Sequence, residues 1–158
     1  MKSILEIQFR EATAADVPAI MTSHDATNAA DPRIAGYLNH QHHPRQALLP
    51  RIAYVALHEN TVIAYVAGHR TTRHGCEGEV QYLFVSPDFR RRGIATELLR
   101  RLAAWFESQG AQKVCVALAD DSPPEAKPFF ESAGAAPLKK YWYAWRNIGT
   151  ITGIEDGG

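Results

Sequence analysis

Three consecutive arginines followed by a glycine occupy positions 90–93, between a strand-like run and a helix-like run. Val80 to Val85 is rich in β-branched and aromatic residues, and the apolar residues after Gly93 recur with the period of a helix. Cations are unfavourable at a helix start because the macrodipole already makes that end positive. The arginines are therefore expected to face a bound anion. The backbone N–H groups of a first helical turn, beside a glycine that permits close approach, suit a pyrophosphate. The alternative is a solvated basic turn.

Two stretches of the chain resemble a known family. Arg90-Arg91-Arg92-Gly93-Ile94-Ala95 is similar to the Arg/Gln-x-x-Gly-x-Gly/Ala signature of the GNAT superfamily of acyl-CoA-dependent N-acetyltransferases, and it has that family's position between a strand and a helix. The stretch from Phe9 to Ile20, which reads F-R-x-A-x-x-x-D-V-P-A-I, is similar to a common opening of the same family. The resemblance runs from Phe9 to Trp145 and is specific over residues 79–99.

The chain length suits a single domain, expected over residues 1–147 as a domain of this family, and residues 148–158, rich in Gly and Thr, are expected to form a loose C-terminal tail. The fold that the resemblance implies is of the α/β (α+β) class. A mixed, mostly antiparallel central sheet of six or seven strands is flanked by about four helices, with a V-shaped splay between the fourth and fifth strands.

The resemblance also implies that acetyl-CoA is the co-substrate. Its pantetheine arm would bond like an added strand to the backbone at the end of the central strand, and backbone N–H groups of the helix start would hold the pyrophosphate. The side chain of Arg90 or Arg92 would reach phosphate oxygens. The predicted cofactor-binding residues are Leu83, Phe84, Val85, Arg90, Arg91, Arg92, Gly93, Ile94, Ala95, Thr96 and Phe130.

Acyl transfer to an amine needs a proton acceptor, because most amines are protonated at neutral pH and a lysine-like amine has a pKa near 10. Glu79 occupies the position where many family members carry a catalytic carboxylate, and it is the predicted general base, acting directly or through water. Period-two alternation would place Glu79 and Gln81 on one face with Leu83 and Val85. A bulge in this strand would reverse that arrangement. The alternative is a solvated glutamate at the strand end.

The segment Ala126 to Ala135 departs from the family pattern. Family members often carry Ala-x-x-Phe-Tyr-x-x-x-Gly-Phe here, with the tyrosine protonating the departing thiolate, whereas this chain has Phe130 in the tyrosine position. Pro123 occupies the place of a frequent asparagine. Tyr141, Tyr143 or a water molecule could substitute, and a thiolate leaves tolerably well unaided because a thiol pKa lies near 8.5. Tyr141 is included among the predicted catalytic residues.

Several histidines have competing interpretations. His69 and His74, near the central strand, are alternative bases. His40, His42 and His43 look like a metal cluster, but adjacent histidines do not converge on one ion without further ligands. A polar loop near the acceptor site is the preferred interpretation, and no metal is expected.

The predicted function is transfer of an acetyl group to a primary amine of a small molecule or peptide. One alternative is a catalytically degenerate acyl-CoA-binding sensor or interaction module, suggested by Phe130 and Pro123. An RNA-binding domain that uses positions 90–92 is a weaker alternative, because the rest of the chain is not basic and shows no aromatic RNA-binding pattern. The aromatic run from Tyr141 to Trp145 is core on one face, and its other face could wall an acceptor pocket or contact a second subunit in a homodimer.

Hydrophobic periodicity and turn signals predict the elements that position these residues. A hairpin turn is predicted at Glu59-Asn60, a helix end at Gly110, and a break at Pro137 before the last strand. The predicted strands cover residues 4–10, 51–58, 61–69, 79–85, 113–118 and 138–146, and the predicted helices cover residues 14–21, 32–39, 94–110 and 125–133.

The composition is that of an ordinary globular domain, with 46% hydrophobic and 22% charged residues in 158 residues. Because 17 basic residues balance 17 acidic ones, there is no electrostatic case for bulk nucleic-acid or membrane binding. Two cysteines give no disulfide framework. The N-terminus lacks the long apolar region of a signal peptide, so a soluble cytoplasmic protein is expected.

Overall fold

A computed structural model describes residues 6–22, 49–120 and 122–152. Within these ranges the chain forms a seven-stranded sheet in the order β1-β2-β3-β4-β5-β7-β6, in which only β4 and β5 pair in parallel. The strands are β1 (Ile7–Glu11), β2 (Arg51–His58), β3 (Thr61–Arg70), β4 (Gly78–Val85), β5 (Val114–Ala117), β6 (Ala136–Lys139) and β7 (Trp142–Trp145). The α-helices are α1 (Val17–Thr22), α2 (Ile94–Ser108), α3 (Ala126–Ser132) and α4 (Gly149–Thr152). The expected mixed, mostly antiparallel sheet is confirmed.

Helix α2 covers one face of the sheet. Its Ile94, Leu98, Leu102 and Phe106 are buried, as their four-residue spacing predicts. Full burial of each stabilises the fold by about 1.5–3 kcal/mol. The packing is so close at Gly78 that a Cβ there would lie 2.5 Å from the Phe106 ring, so this position in β4 requires glycine.

Helix α1 lies against the opposite face of the sheet, where Ile20 packs with Val55 and Tyr65. The connection from β1 to α1 is fixed by Arg10, whose guanidinium donates to the two Asp16 carboxylate oxygens at 2.7 and 2.9 Å. This hydrogen-bonded ion pair holds the pKa of Asp16 below its ordinary value, with help from the Thr13 N–H. The residues of the family-like opening therefore stabilise the start of the fold.

Strands β4 and β5 run together for only part of their length. The pairs are Gly78 with Val114, Glu79 with Cys115, and Val80 with Val116, whereas β4 continues to Val85 with β3 as its only partner among the described strands. The paired end is fixed by Glu77, whose Oε1 accepts hydrogen bonds from the Gln112 and Lys113 backbone N–H groups. Beyond Val80 the strands separate, which confirms the expected splay.

The C-terminal region differs from the prediction in two ways. The predicted strand over residues 138–146 is two strands, β6 and β7, joined at Lys140-Tyr141, where Tyr141 takes a φ of +68°. Pro137 lies within β6 instead of preceding it, which an edge strand tolerates. The first part of the expected tail is packed, because Ile148 and Ile151 are buried in the core beside α2. Apolar spacing over only a few residues did not reveal this short helix.

Other expectations lie outside the described residues. These are the start of the first predicted strand, the helix at residues 32–39, the histidines at positions 40, 42 and 43, and residues 153–158. Within the described ranges, no helix is long and apolar enough to cross a membrane.

Candidate active site

A cavity of about 260 Å³ opens where β4 and β5 part, and we call it the β4–β5 cleft. One wall is the backbone of β4 and the other is the end of β5 with the segment that leads into α3. The lining residues are Glu79–Leu83, Val116–Leu118, Ser122, Pro123, Ala126 and Phe130. Beyond Val80, no strand among the described residues pairs with β4 on that side, so the cleft can accept an extended ligand.

A bulge in β4 decides which side chains share a face. Ala67 of β3 pairs with Tyr82 and Gly68 pairs with Val80, so Gln81 is the extra residue. Leu83 and Val85 consequently pack on the α2 side with Val80, whereas Tyr82 and Phe84 pack on the α1 side. Glu79 lies opposite the α2 side, next to Val80. The expected grouping of Glu79 with Leu83 and Val85 is therefore wrong, and the bulge is the reason.

The backbone of β4 presents polar groups to the cleft. The Ser86 N–H donates to the Ile63 carbonyl of β3 at 2.8 Å. Since backbone groups alternate in direction along a strand, the N–H and C=O groups of Val85 and Leu83 point away from β3. The Val85 carbonyl accepts a hydrogen bond from Arg90 Nε at 2.9 Å, in agreement with this direction. Of the predicted pantetheine-binding residues, Leu83 and Val85 thus direct their backbone groups to the side on which the cleft opens, and Leu83 lines it, whereas those of Phe84 face β3.

Residues 90–96, which we call the cradle, lead from β4 into α2. Gly93 is the N-cap of the helix with a φ of +79°, Arg91 has a φ of +62°, and no side chain caps the helix start. The first-turn N–H groups of a helix have no intrahelical acceptor. The Ile94 side chain is buried in the core, so only its backbone belongs to the cradle. The cradle has the form of an anion site.

The arginines of the cradle have different surroundings. Arg90 reaches across the mouth of the cleft, with Nη1 3.5 Å from Glu125 Oε1, just before α3. The Arg92 guanidinium lies 5.8 Å from the centre of the Phe89 ring, and Arg91 is exposed. All three positions are compatible with phosphate binding.

Glu79 lies at the inner end of the cleft, where the two strands part. Its side chain is 6% exposed, and Oε1 is 3.2 Å from Arg73 Nε and 3.9 Å from His69 Nε2. Despite these neighbours, Oε1 accepts no hydrogen bond from the described residues. The Arg73 guanidinium also stacks 5.4 Å from the centre of the Trp142 ring. A buried carboxylate oxygen without a hydrogen bond is unusual in a folded protein.

The two alternative bases differ in their relation to Glu79. His69 belongs to β3 and contacts Gln81, which lines the cleft. His74 packs edge-to-face on Trp142 at 4.6 Å, with a φ of +55°. Burial, then Lys139 and Arg73, lower the pKa of His74. His74 does not line the cleft, and its ring contact with Trp142 lies in the loop that carries Arg73.

The aromatic candidates are divided between the cleft and its surroundings. Phe130 lines the cleft and packs edge-to-face on Phe129 and Trp145. Tyr141 is at the β6–β7 turn, 42% exposed, and is not among the residues that line the cleft. Tyr143 packs against the main core on the side of α3.

Sequence reasoning missed two polar residues of the site. Ser122 lines the cleft, and it follows the end of β5 in a polar Asp-Asp-Ser-Pro segment that could have indicated it. Arg73 is brought to Glu79 by the fold of the loop before β4, for which the sequence carries no signal.

Both cysteine thiols lie in the interior of the protein. Cys76 and Cys115 are buried together, and desolvation followed by the proximity of Cys76 raises the pKa of Cys115. Among the described residues, no group of three or more His, Cys, Asp or Glu side chains could hold a metal ion.

Comparison with known proteins gives a consistent result. Residues 19–135 match the sequence profile of the family described as the acetyltransferase (GNAT) family. No curated protein matches the sequence.

Many solved structures share the fold. A GNAT-family acetyltransferase from Staphylococcus aureus superposes with a TM-score of 0.70 at 15% identity, covering 90% of this chain and 99% of that one. An acetyltransferase from Thermus thermophilus gives 0.69 at 17% identity, covering 90% and 98%. The PaiA N-acetyltransferase of Thermoplasma acidophilum, solved in complex with coenzyme A, gives 0.62 at 11% identity, covering 87% and 96%.

Proposed function

Since the chain belongs to the GNAT acetyltransferase family, we propose that it transfers an acetyl group from acetyl-CoA to a primary amine, which attacks the thioester directly in a ternary complex. The observation that carries this proposal is the course of the β4–β5 cleft. The cleft is lined by the buried Glu79 and by Leu83, and β4 continues from there through Val85, whose carbonyl accepts from Arg90, toward the uncapped start of α2. A candidate proton acceptor, a candidate strand-like binding edge and a candidate phosphate site thus follow one another along β4 and into α2.

The chain offers distinct residues to each part of acetyl-CoA, which supplies the activated acetyl group as a thioester. The backbone N–H groups of Arg91, Gly93, Ala95 and Thr96 would bind the pyrophosphate, with Arg90 and Arg92 compensating its charge. The fit is supported by Gly93, whose positive φ and missing side chain leave the helix start accessible. Val85 and Leu83 would bind the pantetheine amides as an added strand.

Phe84 and Phe130 have packing roles in this proposal. The backbone groups of Phe84 are directed toward β3, with which it pairs at Tyr65, and its side chain packs on the α1 side. Phe130 provides an apolar wall, which keeps water from the thioester without supplying a proton.

Glu79 would remove the proton from the acceptor ammonium, directly or through water. It is at the inner end of the cleft and its Oε1 lacks a hydrogen bond from the described residues, so an incoming N–H or water could donate to it. The Arg73 guanidinium balances the negative charge of the carboxylate before the acceptor arrives. Binding of a cationic amine would compete with Arg73 for this carboxylate.

The departing sulfur has no phenol in the cleft wall at position 130. The Ser122 hydroxyl lines the cleft and could donate a hydrogen bond to it. Tyr141 stays a prediction for this role, and it would have to reach inward from the β6–β7 turn.

Thiol release from acetyl-CoA tests the proposal. The acceptors would be spermidine, 2-phenylethylamine, kanamycin, L-lysine and an alanine-rich peptide with a free N-terminus. We expect release above the rate of acetyl-CoA hydrolysis with at least one of these amines, and an acetylated amine by mass spectrometry. Acetyl-CoA binding without acetylation of any amine would contradict the enzymatic proposal.

The second candidate is an acyl-CoA-binding sensor, which Phe130 favours because it gives the cleft wall no acidic proton. A sensor would bind acetyl-CoA in the same cleft, and its affinity and stability would not change in Glu79→Gln. Binding together with turnover that Glu79→Gln removes would exclude it.

A further inference from the structure

The unsatisfied oxygen of Glu79 lies next to a histidine on the neighbouring strand. Glu79 Oε1 is 3.9 Å from His69 Nε2, too long for a hydrogen bond and short enough that a small side-chain adjustment makes one. His69 and Glu79 are directly paired across β3 and β4. Arg73 Nε lies 3.2 Å from this oxygen without a hydrogen bond to it, so a donor on His69 would supply the missing hydrogen bond.

Oxygen atoms of three residues lie near the two ring nitrogens of His69. Nδ1 is 2.7 Å from the Arg70 carbonyl, and because a carbonyl only accepts, Nδ1 carries a proton. Nε2 is 3.1 Å from Gln81 Oε1 and also faces Glu79 Oε1. Oxygen atoms therefore lie near both ring nitrogens, and a proton on Nε2 would face Gln81 Oε1 and Glu79 Oε1.

We propose that His69 is a positioning residue that takes over, through Glu79, the proton released by the acceptor amine. This proposal rests on the proposed function and names a second residue for its proton transfer. The ammonium N–H bond breaks as a Glu79 O–H bond forms, and that O–H bond then breaks as the His69 Nε2–H bond forms. Glu79 is again a carboxylate, now beside an imidazolium, and the proton passes from His69 to solvent.

The remainder of the reaction balances without another reagent. The amine lone pair forms the N–C bond as the C–S bond breaks, and the sulfur keeps that electron pair. Of the two protons that the ammonium loses, one ends on the CoA sulfur and one is released to solvent through His69.

The charged groups around His69 come from three elements. Arg51 is its pairing partner on β2, Glu79 is its partner on β4, and Arg73 lies beyond Glu79 in the loop before β4. The adjacent Arg70 directs its guanidinium to the Glu77 and Gln109 carbonyls, away from the ring. His74 lies on the far side of Arg73, against Trp142. Among the described residues, Glu79 is the carboxylate that faces His69.

The test is the pH profile of kcat/KM for the best amine of the panel, measured for the wild type, His69→Gln, Glu79→Gln and the double variant. At about pH 7 we expect His69→Gln to lower kcat/KM about tenfold, part of the ~10²–10⁴ that a general base supplies. This deficit should shrink as the pH approaches about 9.5, because the amine then loses its proton unaided. The KM for acetyl-CoA should not change.

His58→Gln is the matched control. His58 is also a strand histidine with a nearby glutamate, its Nε2 being 3.5 Å from Glu6 Oε2, and its side chain is 12% exposed. We expect it to retain the wild-type profile. Thermal unfolding of all variants separates loss of fold from loss of proton transfer.

The double variant gives the sharpest outcome. If His69 acts through Glu79, adding His69→Gln to Glu79→Gln lowers kcat/KM no further. A deficit that is constant with pH, absent, or additive with Glu79→Gln would overturn the role of His69. Wild-type acetyl-CoA binding without turnover would instead overturn the proposed function itself, so the two failures are distinguishable.

Discussion

The two ends of the candidate site, the cradle and the Glu79 end of the β4–β5 cleft, are built in different ways. The cradle consists of consecutive residues, 90–96, and presents mainly backbone groups at a helix start. The inner end consists of side chains from three segments, with Glu79 on β4, His69 on β3 and Arg73 in a loop. The cradle would bind a part common to all acyl-CoA molecules, whereas the inner end would meet the acceptor. A change in the cradle should therefore weaken CoA binding, whereas a change at the inner end should slow acyl transfer without weakening CoA binding.

The largest expected effect is at the cradle. In Gly93→Val, a β-branched side chain at a φ of +79° displaces the backbone and covers the helix start, so we expect the Kd for CoA to rise at least ~100-fold. Calorimetric titration measures it.

Gly110→Val is the control for this variant. Gly110 has a φ of +77° with nothing within 4 Å of a Cβ, and it lies beyond the other end of α2. We expect the same backbone strain of about 1–2 kcal/mol without any change in Kd. Equal Kd values for CoA in the two variants would show that the pyrophosphate does not bind at the cradle.

The next effect is at the inner end. Glu79→Gln keeps the size of the side chain but cannot accept the proton, so we expect kcat/KM to fall about 10²-fold near neutral pH, with the Kd for CoA unchanged. Steady-state kinetics and calorimetry on the same preparation measure both. If Glu79→Gln weakened CoA binding tenfold or more, the separation of the two ends would be wrong.

A third variant concerns a segment outside both ends. Asp16→Asn should lower the free energy of unfolding by about 1–2 kcal/mol, because the Arg10 ion pair and its hydrogen bonds are lost. The Kd for CoA should stay at the wild-type value.

The pH dependence of this difference follows from the lowered pKa of Asp16. A carboxylate whose pKa is lower in the folded state stabilises the fold above the unfolded value, near 3.9, and this contribution is lost as the pH falls through the folded value. Urea unfolding at several pH values should show the largest gap at neutral pH and a shrinking gap in acid. A gap that is constant with pH would exclude the ion pair as its cause.

The smallest expected effect distinguishes the two hydroxyl candidates for the departing sulfur. Ser122→Ala should lower kcat by a few fold, since a hydrogen bond to a charged group contributes roughly 1.5–3 kcal/mol and water can partly replace it. Tyr141→Phe should leave kcat unchanged, because Tyr141 does not line the cleft. The reverse ranking would assign the donor role to Tyr141.

The contrast between the cradle and the inner end also explains how much of the molecule could be predicted from the sequence. The cradle and α2 were predictable because a helix start and a four-residue apolar period are local signals. The β2–β3 hairpin was predictable for the same reason, with its strands at Arg51–His58 and Thr61–Arg70.

The inner end was only partly predictable. Glu79 was identified from a family resemblance, whereas its facing direction depended on the bulge at Gln81, which simple alternation does not contain. The Arg73 contact depends on a loop conformation that includes a positive φ at His74. The division of the last strand into β6 and β7 was missed because Tyr141, a residue with no turn preference, takes the positive φ of the turn.

Calorimetric titration of the wild-type protein with CoA, and then with pantetheine, tests the central claim most directly. The two ligands share the arm that would bind Leu83 and Val85, and only CoA carries the diphosphate assigned to the cradle. We expect CoA to bind one to one and pantetheine to bind at least ~100-fold more weakly, by about 2.7 kcal/mol. Equal affinities, or no heat on addition of CoA, would contradict the account.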